Sequence, residues 1–260
     1  NIHTDNNFIR QFPSNLYLQS AEIDLLHYGY YFAGESDNIV YLGNSKSPLS
    51  VLAVDLDLTN VENQFITLDN YDLPFASVQL KIIDKDFYLV DGTIPTIFKG
   101  KINIWKGKKM SFSKPQFSVI QPIDTSNFVF RGNSEKNGEY LLGLLNLDLE
   151  TITYDTKLLE KQIDGVFDSD GMLLFNNQIK RIIYLYYYRN EFIVANSKMD
   201  LIYRGKTIDT VKFAKIKIDK LKNGVQKLAT PPLIVNNFST TYQDELFVNS
   251  NLKSRFETTT

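Results

Sequence analysis

From Tyr28 to the C-terminus the chain repeats one local pattern: a polar residue, three or four β-formers, then a Gly, Asn or Ser turn. NIVYLGN, DFYLVDG, NFVFRGN, EFIVANS and ELFVNS all have this form. Their anchors, Ile39, Phe87, Phe128, Phe192 and Leu246, recur roughly every 40 to 65 residues, and two of the spacings lie near the period of about 40–50 expected for four-stranded propeller blades. Short strands closed by tight turns cannot bury both faces alone, so such units must stack on one another. Nothing in the sequence offers the long amphipathic helices that an α/β sheet needs. The candidate Thr156–Ile163 is too short to carry a domain.

In chain order the strands are expected at Tyr28–Ala33, Asn38–Leu42, Val51–Leu58 and Phe65–Leu68. Val78–Ile83, Phe87–Val90 and Thr96–Ile104 follow, with Asp91-Gly92 as a turn. Then come Phe117–Ile120, Asn127–Phe130, Tyr140–Leu147 and Thr151–Asp155. Arg181–Tyr188, Phe192–Ala195 and Leu201–Tyr203 form a three-strand run, followed by Lys212–Ile218, Leu233–Val235 and Leu246–Val248. The Phe128–Phe192 spacing is the longest. It accommodates an extra hairpin at Asp164–Asn177, or else that segment begins a unit of its own and shifts the register. Alternation places Tyr184, Tyr186 and Tyr188 on one face and Ile183, Leu185 and Tyr187 on the other. Apolar side chains on both faces predict a strand covered on both sides, with Leu185 buried.

The fold expected is therefore all-β, a β-propeller of about five to seven short-stranded antiparallel blades. A β-sandwich, a barrel or another multi-strand all-β fold is the alternative. Residues 1–27 form an N-terminal segment in which Phe8–Phe12 is available as a closing strand. Residues 28–260 form the propeller, whose last blade is short of its outer strands.

Composition excludes several chemistries. The 260 residues include no cysteine, which removes disulfides, thiolate metal sites and cysteine nucleophiles. Only His3 and His27 are present, too few for a Ser-His-Asp system, and His27 reads as a surface or packing residue. A net charge of −2 gives no reason to expect nucleic acid as a partner. No apolar run is long enough to span a membrane. The polar start NIHTDNN carries no signal peptide and is compatible with a trimmed export signal.

DGVFDSDG is the nearest approach to a ligand motif. Asp164, Asp168 and Asp170 are candidate calcium ligands, with turn formation by Asp-Gly as the competing reading. No other cofactor is indicated. Asp91, Asp124 and Asp168 lie next to strands in separate units, where a glycan-cleaving carboxylate pair would sit if a channel brought two of them together. Lys215 and Lys217 alternate with isoleucines and read as a solvated outer face. Trp105 reads as packing or as an exposed platform. Asn237-Phe238-Ser239 matches a glycosylation sequon and Asp209-Thr210-Val211 a short O-glycosylation acceptor, both surface hints.

The units, with DGVFDSDGMLLFNN and IIYLYYYRNEF between them, resemble divergent β-propeller proteins of Bacteroidota-type bacteria, many of them exported or envelope-associated. The resemblance implies a propeller outside the cytoplasm, in the periplasm or at the cell surface, and implies no catalytic residues. The function expected is a non-enzymatic binding or scaffold module of the cell envelope with a protein partner. The alternatives are a glycan-acting hydrolase or lyase, and a subunit of an envelope or secretion complex.

Overall fold

The structure, a computed structural model, describes residues 7–11, 21–110, 115–220 and 226–257. Four sheets and two hairpins are built from these residues. The first sheet is a meander of β1 (Tyr30–Ser36), β2 (Ile39–Asn44), β3 (Ser50–Asp55) and β4 (Val61–Phe65). The second contains β5 (Thr67–Leu68), β6 (Val78–Ile83), β7 (Asp86–Asp91), β8 (Thr96–Lys101) and β9 (Lys106–Lys109), ordered β5-β9-β8-β7-β6. The third is β10 (Val119–Pro122), β11 (Asn127–Asn133), β12 (Tyr140–Asn146) and β13 (Thr151–Asp155), and the fourth is β14 (Gly171–Asn176), β15 (Arg181–Tyr186), β16 (Glu191–Asn196) and β17 (Leu201–Lys206). The hairpins are β18 (Ile218–Lys220) with β19 (Gln226–Leu228), and β20 (Phe238–Tyr242) with β21 (Glu245–Asn249). No α-helix occurs among the described residues.

The turns follow from the residues that end the strands. Asn44, Asp55, Asp91, Asn146, Asp155, Asn176 and Asn196 each close a strand. Each accepts a backbone N–H two to four residues on: Lys46 at 2.8 Å, Thr59 at 2.8 Å, Thr93 at 2.9 Å, Leu149 at 2.7 Å, Lys157 at 2.7 Å, Gln178 at 3.0 Å and Lys198 at 2.9 Å. The side chain mimics a backbone turn and stops the ladder there. The repeated Asn and Asp of the sequence pattern are thus the structural punctuation of the fold.

The chain divides into two compact units. The first holds Ser14–Phe130 and Leu144–Thr153, the second Asn1–Pro13, Arg131–Gly143 and Tyr154–Thr260, and the division falls within the third sheet. In the first unit the leading edge strands β1, β6 and β10 lie side by side. The approach of β1 to β6 is close enough that a Cβ on Gly34 would stand 2.3 Å from the Ile82 carbonyl oxygen. The second sheet is covered on both faces, and every residue of β7 is buried. Phe87 and Leu89 pack with Tyr41 and Val51 of the first sheet, while Tyr88 and Val90 pack with Ile120, Phe128 and Phe130 of the third. Phe87 stacks on Trp105 at 5.3 Å, and Tyr88 meets Phe128 edge-on at 4.9 Å. Burying each such phenylalanine contributes roughly 1.5–3 kcal/mol.

In the second unit β14 lies beside β20. Ile182 through Tyr186 of β15 are all buried, and Leu185 is fully so, as its two apolar faces predict. Phe8 is buried with Val211, Val235 and Leu252, and its carbonyl accepts the Arg255 N–H at 3.0 Å. Residues 8–11 form no strand, and Phe12 lies outside the described residues.

The all-β expectation holds, and the corrections are local. The described residues form four sheets of four or five strands and two two-stranded hairpins. Asp164–Asn177 is no separate hairpin: residues 164–170 are a loop, and 171–176 are β14, which pairs with β15. That segment therefore begins a sheet of its own, and EFIVANS is the third strand of its meander where NIVYLGN, DFYLVDG and NFVFRGN are second strands of theirs. Thr156–Ile163 forms no helix, because the N–H groups of Lys157 and Leu158 go to Asp155 and those of Gln162 and Ile163 go to Asp168. Lys212–Ile218 is not a strand over its length: residues 212–217 are irregular, and only Ile218 enters β18. There the Lys212 carbonyl and the Ala214 N–H bond to the Gln162 side chain at 2.9 Å each instead of to a ladder. Leu233–Val235 is also irregular, and the strand of that unit is β20.

Candidate binding groove

A broad concavity of the first unit lies on the face of the first sheet opposite Val51 and Tyr41. Its cavity volume is about 800 Å³. Leu52, Val61 and Phe65 come from β3 and β4, and Ile23, Leu26 and Tyr28 come from the segment that leads into β1. That segment is held by short-range bonds. The Gly29 carbonyl accepts the Ser45 N–H at 2.9 Å, and Asp24 Oδ1 accepts the Leu26 N–H at 2.8 Å. Gly29 has a φ of 92°, a left-handed backbone conformation that favours glycine.

Its walls carry several large side chains that stand in solvent. Leu26 is 81%, Tyr28 82% and Phe65 68% exposed. Asp24 is the one carboxylate of the lining, with His27 and Lys46 as its other ionisable groups besides the tyrosines. A nearly neutral trough of aliphatic and aromatic side chains with scattered hydroxyls and amides suits another polypeptide surface. It does not supply the facing carboxylates that glycoside cleavage requires. A second concavity, about 500 Å³, lies in the second unit between β21 and the loop after β17, with Arg10, Lys206 and Asp209 in its lining. Arg10 is engaged there by Glu257 at 2.9 Å and by the Leu252 carbonyl at 2.8 Å.

Asp164, Asp168 and Asp170 are brought into one loop but face different partners. Asp168 is fully buried, and its carboxylate accepts the N–H groups of Gln162, Ile163 (3.1 Å), Asp164 (3.0 Å) and Gly165 (2.6 Å). Asp164 Oδ1 accepts the N–H groups of Val166, Phe167 and Asp168 at 3.1–3.3 Å. Asp170 pairs with the Arg131 guanidinium and accepts the Gly171 N–H at 2.9 Å. Burial pushes Asp164 above the usual carboxylate range, and its neighbour Asp168 adds to the shift. Burial would do the same to Asp168, but Asp164 and the surrounding N–H groups outweigh it and hold Asp168 low. Among the described residues no group of three or more His, Asp or Glu is placed to hold a metal.

The other candidates also prove to be local. Asp91, 1% exposed, accepts Ala76 and Ser77 N–H at 2.8 Å each and both the N–H and hydroxyl of Thr93. Burial opposes its ionisation, but these donors prevail and lower its pKa. Asp124 accepts the N–H groups of Ser126 and Asn127 at 2.8 Å each. Trp105 is buried against Tyr41 and Phe87, so it is packing. His27, Lys215 and Lys217 are exposed. Asp209 and Val211 are buried, Thr210 is exposed, and Asn237 is half-buried.

Two buried arginines went unread in the sequence. Arg131 donates to Tyr184 Oη at 2.8 Å and lies over the Tyr140 ring at 4.3 Å. Arg189 lies 3.5 Å over Tyr186 and donates to the Glu160 carbonyl at 2.8 Å and the Asp168 carbonyl at 3.3 Å. The one available signal was the position of Arg189 directly after an aromatic run. Lys81 on β6 was also missed, and burial pulls its pKa down to about 8.

No protein-family model matches the chain, and no curated protein does. Among solved structures it is similar to one from a nidogen/laminin complex, with a TM-score of 0.46 and 12% identity over 85% of this chain and 73% of that one. A member of the DUF4221 family from Bacteroides vulgatus gives a TM-score of 0.46 and 12% identity over 77% of this chain and 60% of that one. The WD40 domain of Toxoplasma gondii coronin gives 0.40 and 8% over 73% of this chain and 46% of that one.

Proposed function

We propose that the protein is a non-enzymatic binding module, built on a β-propeller, that docks a protein partner in the groove on the first sheet. The observation that carries this reading is the cluster of exposed apolar side chains there, Leu26, Tyr28 and Phe65 above all, around a trough with a single carboxylate. Large apolar groups left in water are a feature of surfaces that a partner covers. The candidate catalytic carboxylates support the same reading, since Asp91 and Asp168 are each filled by neighbouring backbone and hydroxyl donors. In this proposal the sheets are successive blades, with β20–β21 as a fifth and shorter one. The cell envelope is the proposed location, on the strength of the likeness of the units to exported propellers, and a place in a larger envelope assembly is compatible with it.

The test is affinity purification from the native cells, comparing wild type with Tyr28→Ser combined with Phe65→Ser. The proposal expects a stoichiometric protein partner that is lost from the double variant while its melting temperature stays near wild type. Retention of the same partner by the variant contradicts the groove, and turnover of a glycan by the pure protein contradicts the non-enzymatic reading. Cell fractionation tests the location.

A further inference from the structure

A smaller pocket, with a volume of about 170 Å³, opens at one end of the second sheet beneath the connection from β5 to β6. Val78, Leu89 and Phe98 line it from one face of β6, β7 and β8: Leu89 lies opposite both Phe98 and Leu80, and Val78 is two residues from Leu80. Leu68 of β5 and Leu49 of the connection between β2 and β3 close its sides, and Tyr71 and Phe75 form its roof. The roof is held at both ends. The Tyr71 hydroxyl accepts the Leu68 N–H at 2.9 Å, and Asp91 accepts the Ala76 and Ser77 N–H groups at 2.8 Å each.

The lining offers a guest almost nothing but carbon. Asp91 stands at the wall, but those two N–H groups and the N–H and hydroxyl of Thr93 already fill its carboxylate. The Thr96 hydroxyl oxygen is itself buried and shut off from the pocket. A charged or hydroxylated guest would therefore lose its hydration without compensation. A cavity of about 150 Å³ lined by aliphatic and aromatic side chains is known to stay dry and to take up benzene. Phe75 and Phe98, with centroids 5.9 Å apart and planes tilted by 45°, offer the edge and face contacts that an aromatic guest prefers. We propose that the pocket binds one small hydrocarbon molecule, a six-membered ring with at most a short alkyl group, and rejects polar molecules of the same shape. The pocket shares no lining residue with the groove, so this site is independent of the docking reading.

The experiment is titration of the full chain with toluene, phenol and benzoate, followed by calorimetry and by methyl NMR shifts of Leu68, Val78 and Leu89, with Leu185 of the fourth sheet as a control. Toluene is expected to bind and to shift the three pocket residues but not Leu185. Phenol should bind at least about tenfold more weakly, the cost of burying one hydroxyl without a partner, and millimolar benzoate should not bind. Val78→Phe should fill the pocket and abolish toluene binding, and Leu68→Phe serves the same purpose if the first variant does not fold. Tyr28→Ser combined with Phe65→Ser, which alters only the groove, should leave toluene affinity unchanged. Absence of toluene binding at millimolar concentration overturns the proposal. So does phenol binding as tightly as toluene, a shift at Leu185 equal to those in the pocket, loss of toluene binding in the groove variant, or binding that survives in a folded pocket-filling variant.

Discussion

Replacing Asp168 tests whether the acidic loop is a structural knot. Its buried carboxylate accepts four backbone N–H groups, from Gln162, Ile163, Asp164 and Gly165. Hydrogen bonds to a charged group contribute roughly 1.5–3 kcal/mol each when measured singly, and they do not add in full. Asp168→Ala strands all four donors in a site without solvent, so a loss of about 3–5 kcal/mol is expected. Asp168→Asn keeps one acceptor oxygen and turns the other into a donor facing donors, so it should lose nearly as much. Asp164→Asn keeps the Oδ1 that accepts three N–H groups and removes a charge that burial disfavours, so it should cost less than about 1 kcal/mol. The pH dependence has a definite sign. The folded pKa of Asp168 lies below the ordinary carboxylate value of about 4, so its stabilisation is present above that value and is lost as pH falls through the lower folded one. Urea titrations at about pH 7 and in the acid range, on wild type and the three variants, measure all of this. An Asp168→Ala variant within about 0.5 kcal/mol of wild type, or a wild-type excess that does not shrink in acid, would refute the reasoning.

Further expectations concern the core, the edge strands and the metal reading. Leu185→Ala should cost about 2–5 kcal/mol in denaturant titration, since the residue is fully buried in β15, whereas exposed Lys217→Ala should change stability by less than about 0.5 kcal/mol. Gly34→Ala should destabilise by roughly 1–3 kcal/mol, because its Cβ would press on the Ile82 carbonyl and push β1 off β6, and unchanged stability would mean that these strands are not so close. Millimolar calcium should leave the melting temperature unchanged, because the three aspartates already have N–H and guanidinium partners. A rise that Asp168→Asn abolishes would restore the calcium reading of the loop.

Much of the architecture was legible because strand and turn chemistry are local. The pattern of β-formers followed by Asn or Asp placed β2, β7 and β11 within a few residues, and the doubly apolar faces of β15 placed Leu185 in the core. The register at EFIVANS stayed open between two readings because its repeated form says nothing about which strand of a sheet it makes, and only the pairing of β14 with β15 shows that it is the third. Lys212–Ile218 alternates like a strand, yet Gln162, about fifty residues earlier, captures its backbone. The acidic loop was found in the sequence, but four N–H groups converging on one buried carboxylate depend on loop geometry that no residue spacing specifies. Arg131 and Arg189 were missed because arginine is ordinarily a surface residue, and here tyrosine faces and backbone carbonyls replace the water. The groove was not legible, since a strand pattern does not say which face stays uncovered.

The claim that the first sheet docks a protein is tested most directly by placing a photo-crosslinking amino acid at Tyr28, at Phe65 and, as a control, at Lys217, and irradiating the native cells. The account predicts one and the same crosslinked protein from Tyr28 and Phe65 and none from Lys217. Absence of any crosslink from the groove positions, or the same product from all three, would contradict it.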